Sequence, residues 1–469
     1  MDNSSRNSTI WINVFKRILP SPFTIAIVLT ILTLLISLVF TQPKEISRFH
    51  YFIQLCSSWE NGLWDNSGGG LYFAFQMMLI LVLGHILALT PLIDRLIQSL
   101  LKFCNNTASS VIVVALGAMI LGLINWGLGL IFGAIIARKV GEKFALEQKT
   151  LNYGLVGAAG YSTMMVWHGG LSGSATTKSM ELGHIPEMMK QAQLPGNYPA
   201  QIPFEATIGS NLNIIVTLSC LFFIPLILYW VAKKLKQEQI PQFPENFSTQ
   251  ETSSPSRVQG AERLDYSKIL GMGLGGFILL FGIAKAVQYE GVSQLGFIQL
   301  NFINFIFLGL SLLLHKNIQN FSNALQIAIG DVSGILIQFP FYFGILAIMQ
   351  NSGLIILFSN SITQIATEQT LPLFTFISAG FINFFVPSGG GQWAIQGPII
   401  IETAQQLGAS IPKTILAMAY GDQWTNMLQP FWALPLLGIT KLKPQQLLPY
   451  TFIVFLIGFV IFSAALYFL

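Results

Sequence analysis

Long apolar runs separated by short polar stretches dominate the chain, and their lengths set the expected elements. Runs at 23–41, 71–90, 151–171, 207–232, 268–288, 298–314, 323–350, 412–437 and 447–468 are each long enough for a helix across a core of about 30 Å. Two further runs, 108–137 and 371–402, do not fit one crossing each. The first covers about 30 residues, too many for one simple span and too few for two. It carries basic residues on both sides: Arg95 and Lys102 before it, Arg138, Lys139, Lys143 and Lys149 after it. Because positive loops stay cytoplasmic, both flanks belong on one side, and the run reads as a re-entrant helical hairpin with its tip at Asn125 to Gly129. The second run reads the same way from the opposite face, with its tip at Pro387-Ser388-Gly389-Gly390-Gly391-Gln392.

Composition fits this reading: 53% of residues are hydrophobic and 9% charged, where soluble globular domains carry about 25% charged. The expected fold class is an all-α integral membrane protein of inverted-topology repeats, each with a re-entrant hairpin, about nine full spans in all. With that topology the cytoplasmic loops collect 18 of the 24 Lys and Arg residues. The expected organisation is an N-terminal cytoplasmic segment 1–20, repeat one over 21–232, a Pro/Ser/Thr/Gln-rich cytoplasmic linker 233–266, a connecting stretch 267–297 and repeat two over 298–469. The run at 23–40 has no small-residue cleavage site after it and reads as a retained first helix. The expected external loops 42–70 and 172–206 are long and mixed, the first reading through Trp59 to Trp64 as a Trp-anchored surface segment, and Cys56, Cys104 and Cys220 are scattered without pairing or metal spacing.

One short motif occurs twice, as Gly122-Leu-Ile-Asn125-Trp126 and Gly380-Phe-Ile-Asn383-Phe384. Each copy is followed, 38 and 41 residues after its glycine, by an apolar run interrupted by polar residues: Gly160-Tyr-Ser162-Thr163 and Gly421-Asp422-Gln423-Trp-Thr425-Asn426. Interruptions at matching places in two halves are the sequence sign of a secondary transporter with its site at the repeat interface. Helix breaks at membrane depth are tolerated only where protein or a water-filled cavity supplies partners. Gly127, Gly129, Gly389, Gly390 and Gly391 let the backbone turn and approach a ligand, and a half-helix starting at a tip offers free N–H groups to an anion. The expected substrate site is therefore Asn125, Gly127, Gly129, Ser162, Thr163, Asn383, Ser388, Gly389, Gly390, Gly391, Gln392, Thr425 and Asn426.

Asp422 is the most deeply placed acidic residue, and a buried carboxylate inside a span marks a proton or cation site. His168 lies on the repeat-matched run and can carry a proton near neutral pH. Asp422 and His168 are the expected coupling residues, whereas His85 reads as packing, and Asp331 and Lys285 as span-end residues that snorkel. No Lys or Arg falls at the centre of a span, so the site suits one carboxylate with a short apolar tail better than a multiply charged anion. An intramembrane enzyme would need a nucleophile with its base or a metal cluster, and neither spacing occurs. A channel fits paired interrupted helices less well than a carrier does.

The motif segments resemble the bacterial short-chain fatty acid transporters. They are Gly122 to Gly129, Ala159 to Ser162 with Trp167 to Ser174, Phe381 to Trp393, and Gly421 to Trp432. The resemblance covers nearly the whole chain. It implies a multi-pass carrier of the bacterial cytoplasmic membrane, in the ion-transporter superfamily, with the N-terminus inside. It further implies butyrate or acetoacetate as substrate, a hairpin-bearing domain moving against a scaffold, and a homodimer. No cofactor and no nucleic-acid partner is expected. The coupling ion is read as H+, with a Na+-coupled carrier of another organic anion, such as a dicarboxylate, as the alternative.

Overall fold

The computed structural model describes residues 21–64, 70–192, 194, 196–234, 239–242, 260–289, 297–363 and 365–469. The expected segment 1–20 and most of the expected linker 233–266 lie outside the described residues. Within that linker, Gln239 exchanges backbone hydrogen bonds of 2.9 and 3.2 Å with Leu151, the one β-bridge among the described residues. Everything else with regular structure there is helical.

The chain opens with α1 (Pro22–Phe40), α2 (Arg48–Trp64) and α3 (Gly70–Ala88). The axis turns by 81° from Ala74–Ala88 into α4 (Pro91–Leu101), because Pro91 cannot extend the helical ladder and holds Thr90 in an extended conformation. The first hairpin is α5 (Thr107–Ile124) and α6 (Trp126–Leu146). Gly117 approaches Phe132, Ala118 approaches Gly133, and Gly122 approaches Gly129, an order that makes the two helices antiparallel. Asn125 alone separates them, in extended backbone (φ −152°, ψ 128°). Next, α7 (Tyr153–Tyr161) crosses α6 where Gly160 and Gly133 each face the other's carbonyl; a Cβ on Gly160 would stand 2.8 Å from the Gly133 carbonyl carbon. Only glycine at both positions lets the backbones pass this closely.

After α7 come two 3-10 turns, Ser162–Met165 and Trp167–Gly169, then α8 (Ser174–Ser179), α9 (His184–Gln191), α10 (Asn211–Lys234) and α11 (Lys268–Val287). The second half contains α12 (Leu300–His315), α13 (Ile318–Ala328), α14 (Ser333–Asn351) and α15 (Leu354–Thr363). Its hairpin is α16 (Leu371–Asn383) and α17 (Gly389–Leu407), antiparallel through Gln392 Nε2 donating to Ala379 O (2.9 Å) and Gln396 Nε2 donating to Ser378 Oγ (2.8 Å). α18 (Ile411–Thr425), a 3-10 turn Asn426–Leu428, α19 (Pro430–Thr440) and α20 (Pro444–Phe468) complete the chain.

Among the described residues, five helices are long and apolar enough to cross a membrane: α1, α5, α10, α11 and α20, or six if the bent α3–α4 pair is one span. The other expected spans are shorter or broken helices. The run 151–171 becomes α7 plus 3-10 turns, and 412–437 breaks at Gln429, held extended before Pro430. The run 323–350 divides into α13, a 3-10 turn Ile329–Val332 and α14. The first hairpin runs on to Leu146, past the end of its apolar run, because Arg138 and Lys139 both pair with Glu142 along the extra turns (2.8 and 3.1 Å).

The two halves of the chain interlock. α1 packs on α14 of the other half, with Phe23 edge-on to Phe341 at 5.1 Å and Ser37 Oγ bonded to Ser352 Oγ at 3.3 Å. α12 packs on α3, where Asn304 Nδ2 donates to Gln76 O (3.0 Å) and Gln76 Nε2 donates to Asn301 Oδ1 (2.7 Å). The hairpins and the broken helices α7 and α18 make the buried centre.

Candidate functional site

The two helix breaks meet. Tyr161 at the end of α7 donates from its hydroxyl to Asn426 O (2.8 Å), and the His168 backbone N–H donates to Gln423 Oε1 (2.9 Å). This contact sets His168 Nδ1 2.6 Å from Asp422 Oδ2, with both side chains buried. The other ring nitrogen, Nε2, accepts from the Ala175 backbone N–H (3.1 Å). Its lone pair is therefore taken, and the ring proton of neutral His168 sits on Nδ1, facing the carboxylate. The close approach lacks regular hydrogen-bond geometry, and among the described residues no other group donates to either Asp422 oxygen. Trp167 stacks on His168 with ring centroids 4.4 Å apart, and Trp126 and Trp432 continue the aromatic wall.

The hairpin tips carry the same motif, yet their polar groups are spent differently. At tip one, Asn125 Oδ1 accepts from the N–H groups of Gly127 (3.0 Å) and Leu128 (3.1 Å), and its Nδ2 donates to Ile298 O (3.1 Å). Ser172 Oγ accepts from Trp126 N–H (2.9 Å), and Gly129 N–H donates to Asn125 O (3.0 Å). All four N–H groups that open α6 are thus satisfied by protein. At tip two, Ser388 Oγ takes the Gly391 N–H (3.2 Å) and Ser388 O takes the Gln392 N–H (2.8 Å). Among the described residues, the Gly389 and Gly390 N–H groups have no acceptor. Gly389 is buried against the pair: a Cβ there would stand 3.0 Å from Trp167 Cη2 and 3.1 Å from both Asp422 Oδ2 and His168 Cε1. Gly390 is exposed, and a Cβ on it would meet only Ser174 Oγ, at 4.0 Å.

Asn383 does not cap a helix. It reaches sideways to the break in α18, where Nδ2 lies within reach of Asp422 O (2.7 Å), Asn426 Oδ1 (2.7 Å) and Thr425 Oγ1 (2.9 Å), while Gln429 Nε2 donates to Asn383 O. These residues hold the backbone on either side of Asp422. The remaining expected site residues are used within the scaffold. Ser162 Oγ donates to Ala158 O (3.0 Å), Thr163 Oγ1 sits in the gap between Gly122 and Gly129, and Gln392 braces α17 against α16. The structure thus gathers His168, Asp422, Gly389, Asn383, Thr425 and Asn426 at one place and assigns Asn125, Gly127, Gly129, Ser162 and Gln392 to building it.

Sequence reasoning missed Gln423, Gln429, Trp167 and the Ala175 N–H as parts of the site. The two glutamines lie inside the motif that contains Asp422, which was the available signal; no pattern marks a backbone N–H seven residues after its histidine. It also missed the ties of the 172–206 loop to the second hairpin. There Trp393 Nε1 donates to His184 Nε2 (3.0 Å), Gln405 Nε2 donates to Asn197 O (3.3 Å), and the Tyr198 hydroxyl donates to Glu402. Burial, with the Glu402 carboxylate beside it, pushes the Tyr198 hydroxyl up to about 12.

An all-helical, multi-pass membrane protein with two hairpins and two broken helices converging on a buried His–Asp pair has the make-up of a transporter. The chain belongs to the short chain fatty acid transporter family, which matches residues 4–469. It is 34% identical over 474 aligned residues to a Haemophilus influenzae protein, covering 99% of this chain and 100% of that one. An Escherichia coli protein is 35% identical over 458, covering 96% of each. The names of both assign them short-chain fatty acid transport provisionally. Among solved structures, the MtrF protein of Neisseria gonorrhoeae, described within a class of antimetabolite efflux pumps, aligns over 96% of this chain and 97% of its own, with 16% identity and a TM-score of 0.43.

Proposed function

We propose that the protein carries short-chain monocarboxylates, such as butyrate or acetoacetate, across the bacterial cytoplasmic membrane by proton symport with alternating access. The observation that carries this reading is tip two: unpaired N–H groups at the start of a 19-residue helix, beside a buried carboxylate and imidazole. A helix N-terminus favours one negative charge, and the neighbouring pair supplies the proton-binding group. Among the described residues no Lys or Arg pairs with a group at the tip. Buried Arg138 is engaged elsewhere, with Nη1 donating to Ile439 O (3.0 Å) and Nε to Glu142 (2.8 Å). That leaves enough positive potential for one carboxylate and little for two. The names of the relatives and the aromatic wall of Trp126, Trp167 and Trp432 support a short apolar tail. In this reading the N-terminus is cytoplasmic, the halves are inverted repeats with re-entrant hairpins, and the chain works as a homodimer.

Counterflow tests the carrier reading. Liposomes holding the purified protein and loaded with unlabelled butyrate should take up external labelled butyrate faster than empty ones. Equal rates would replace the carrier with a channel, and no protein-dependent uptake of acids of two to six carbons would remove the substrate assignment.

A further inference from the structure

The sequence-matched tips differ in one respect that bears on coupling. Tip one is closed by its own Asn125 and Ser172, whereas tip two leaves the Gly389 and Gly390 N–H groups open. The acidic group beside that opening is the protein's own Asp422, whose Oδ2 lies 3.1 Å from the place of a Gly389 Cβ and which, among the described residues, is approached by no donor other than His168 Nδ1. We propose that ionised Asp422 is the internal occupant of the substrate's anion site, so that Asp422 must take up a proton before a substrate carboxylate can bind at tip two. This rests on the reading of the protein as a carrier of short-chain acids.

Two carboxylates cannot share one helix N-terminus without strong repulsion in a buried setting. Neutralising Asp422 removes that repulsion and releases the positive end of the α17 dipole to the incoming anion. The proton comes from water on the side to which the site is open and goes to a carboxylate oxygen of Asp422. It does not go to His168, whose Nε2 is held by the Ala175 N–H and whose Nδ1 already carries the ring proton. The empty site holds one ionised Asp422; the loaded site holds neutral Asp422 and one substrate anion. Both carry the same charge, so one proton and one acid anion cross together with no net charge moved.

Among the described residues, other titratable groups on elements packed around α18 are occupied elsewhere. Tyr420 donates to Asn213 Oδ1, Glu402 accepts from Tyr198, Lys178 pairs with Glu181, and the Tyr450 hydroxyl accepts from Asn152. Lys413 lies at the opposite end of α18, and Tyr467 is exposed near the end of α20. His168 is the sole side chain among the described residues that pairs with Asp422.

The test is binding of labelled butyrate to the purified full-length protein in lipid nanodiscs between pH 5.5 and 8.5, for wild type and Asp422→Asn. Wild-type Kd should rise about tenfold per pH unit on the alkaline side, the slope of one linked proton. Asp422→Asn should bind with a Kd that is flat with pH, exchange butyrate in counterflow and fail to accumulate it. A wild-type slope retained in Asp422→Asn overturns this inference alone. Absence of wild-type binding at every pH overturns the substrate reading and this inference with it. Should the variant not fold, wild-type uptake under a potassium diffusion potential decides: potential-independent uptake is expected, and acceleration by the potential overturns the one-to-one neutral exchange.

Discussion

Asn125 and Asn383 close the same motif in the two halves, yet Asn125 folds back to cap its own hairpin while Asn383 reaches across to the broken helix that carries Asp422. One tip is thereby closed by its own polar groups, and the other is the surface to which the proposed function assigns binding.

Removing the Asn125 side chain leaves the Gly127 and Leu128 N–H groups and Ile298 O without their partner. Asn125→Ala should cost about 1–2 kcal/mol of stability, read as a lower thermal midpoint in detergent. Folded survivors should retain the wild-type Kd for butyrate; a normal midpoint with a weakened Kd would make Asn125 a ligand.

Gly390 has room for a side chain, its Cβ position meeting only Ser174 Oγ, and a branched one there should crowd an anion at the open N–H groups of tip two. Gly390→Val should therefore fold with a wild-type midpoint and lose transport by about tenfold or more, equivalent to about 1.4 kcal/mol of lost binding. Unchanged uptake would assign the tip to packing.

Arg138 is buried in α6 and carries hydrogen bonds to Ile439 O and Glu142. Arg138→Ala leaves Glu142 with Lys139 as its cationic partner but strips the helix-end Ile439 carbonyl of its donor, and should destabilise by about 1–3 kcal/mol. Arg138→Lys, a single donor in place of a fork, should recover part of it. Equal midpoints for wild type and Arg138→Ala would show that the buried fork contributes nothing.

The tether of the 172–206 loop to the second hairpin should depend on pH. His184 Nε2 must be unprotonated to accept from Trp393, and burial holds the His184 pKa below the usual histidine value. A lowered histidine pKa contributes stability above the unfolded-state value of about 6.5 and loses it as pH falls through the folded-state value. Hydrogen exchange across 184–192 should therefore quicken at acid pH in wild type and be pH-insensitive, apart from intrinsic exchange, in His184→Gln. Identical pH profiles would remove His184 from the tether.

Much of this was legible in the sequence, because hydropathy and glycine placement act locally. The runs beginning at 23, 207, 268 and 447 became α1, α10, α11 and α20 with ends shifted by only a few residues. The break at Asn125 and the tip at Ser388–Gly391 fell where the motifs put them. The state of the tips was not legible, since it depends on Ser172 returning to Trp126 from 46 residues away and on Ala175 meeting His168. The ties of the 172–206 loop were not legible for the same reason: its contacts with Trp393, Glu402 and Gln405 join residues about two hundred positions apart. Span continuity was misjudged at 151–171, where small residues keep the run apolar while the backbone tightens into 3-10 turns.

The most direct test of the central claim is accumulation of labelled butyrate in liposomes containing the purified protein, first under an inward proton gradient and then under an inward sodium gradient. Accumulation driven by the proton gradient alone, and abolished in Asp422→Asn, is the result predicted here. Accumulation driven by sodium at matched pH, or undiminished in Asp422→Asn, would contradict proton coupling through the His168–Asp422 pair.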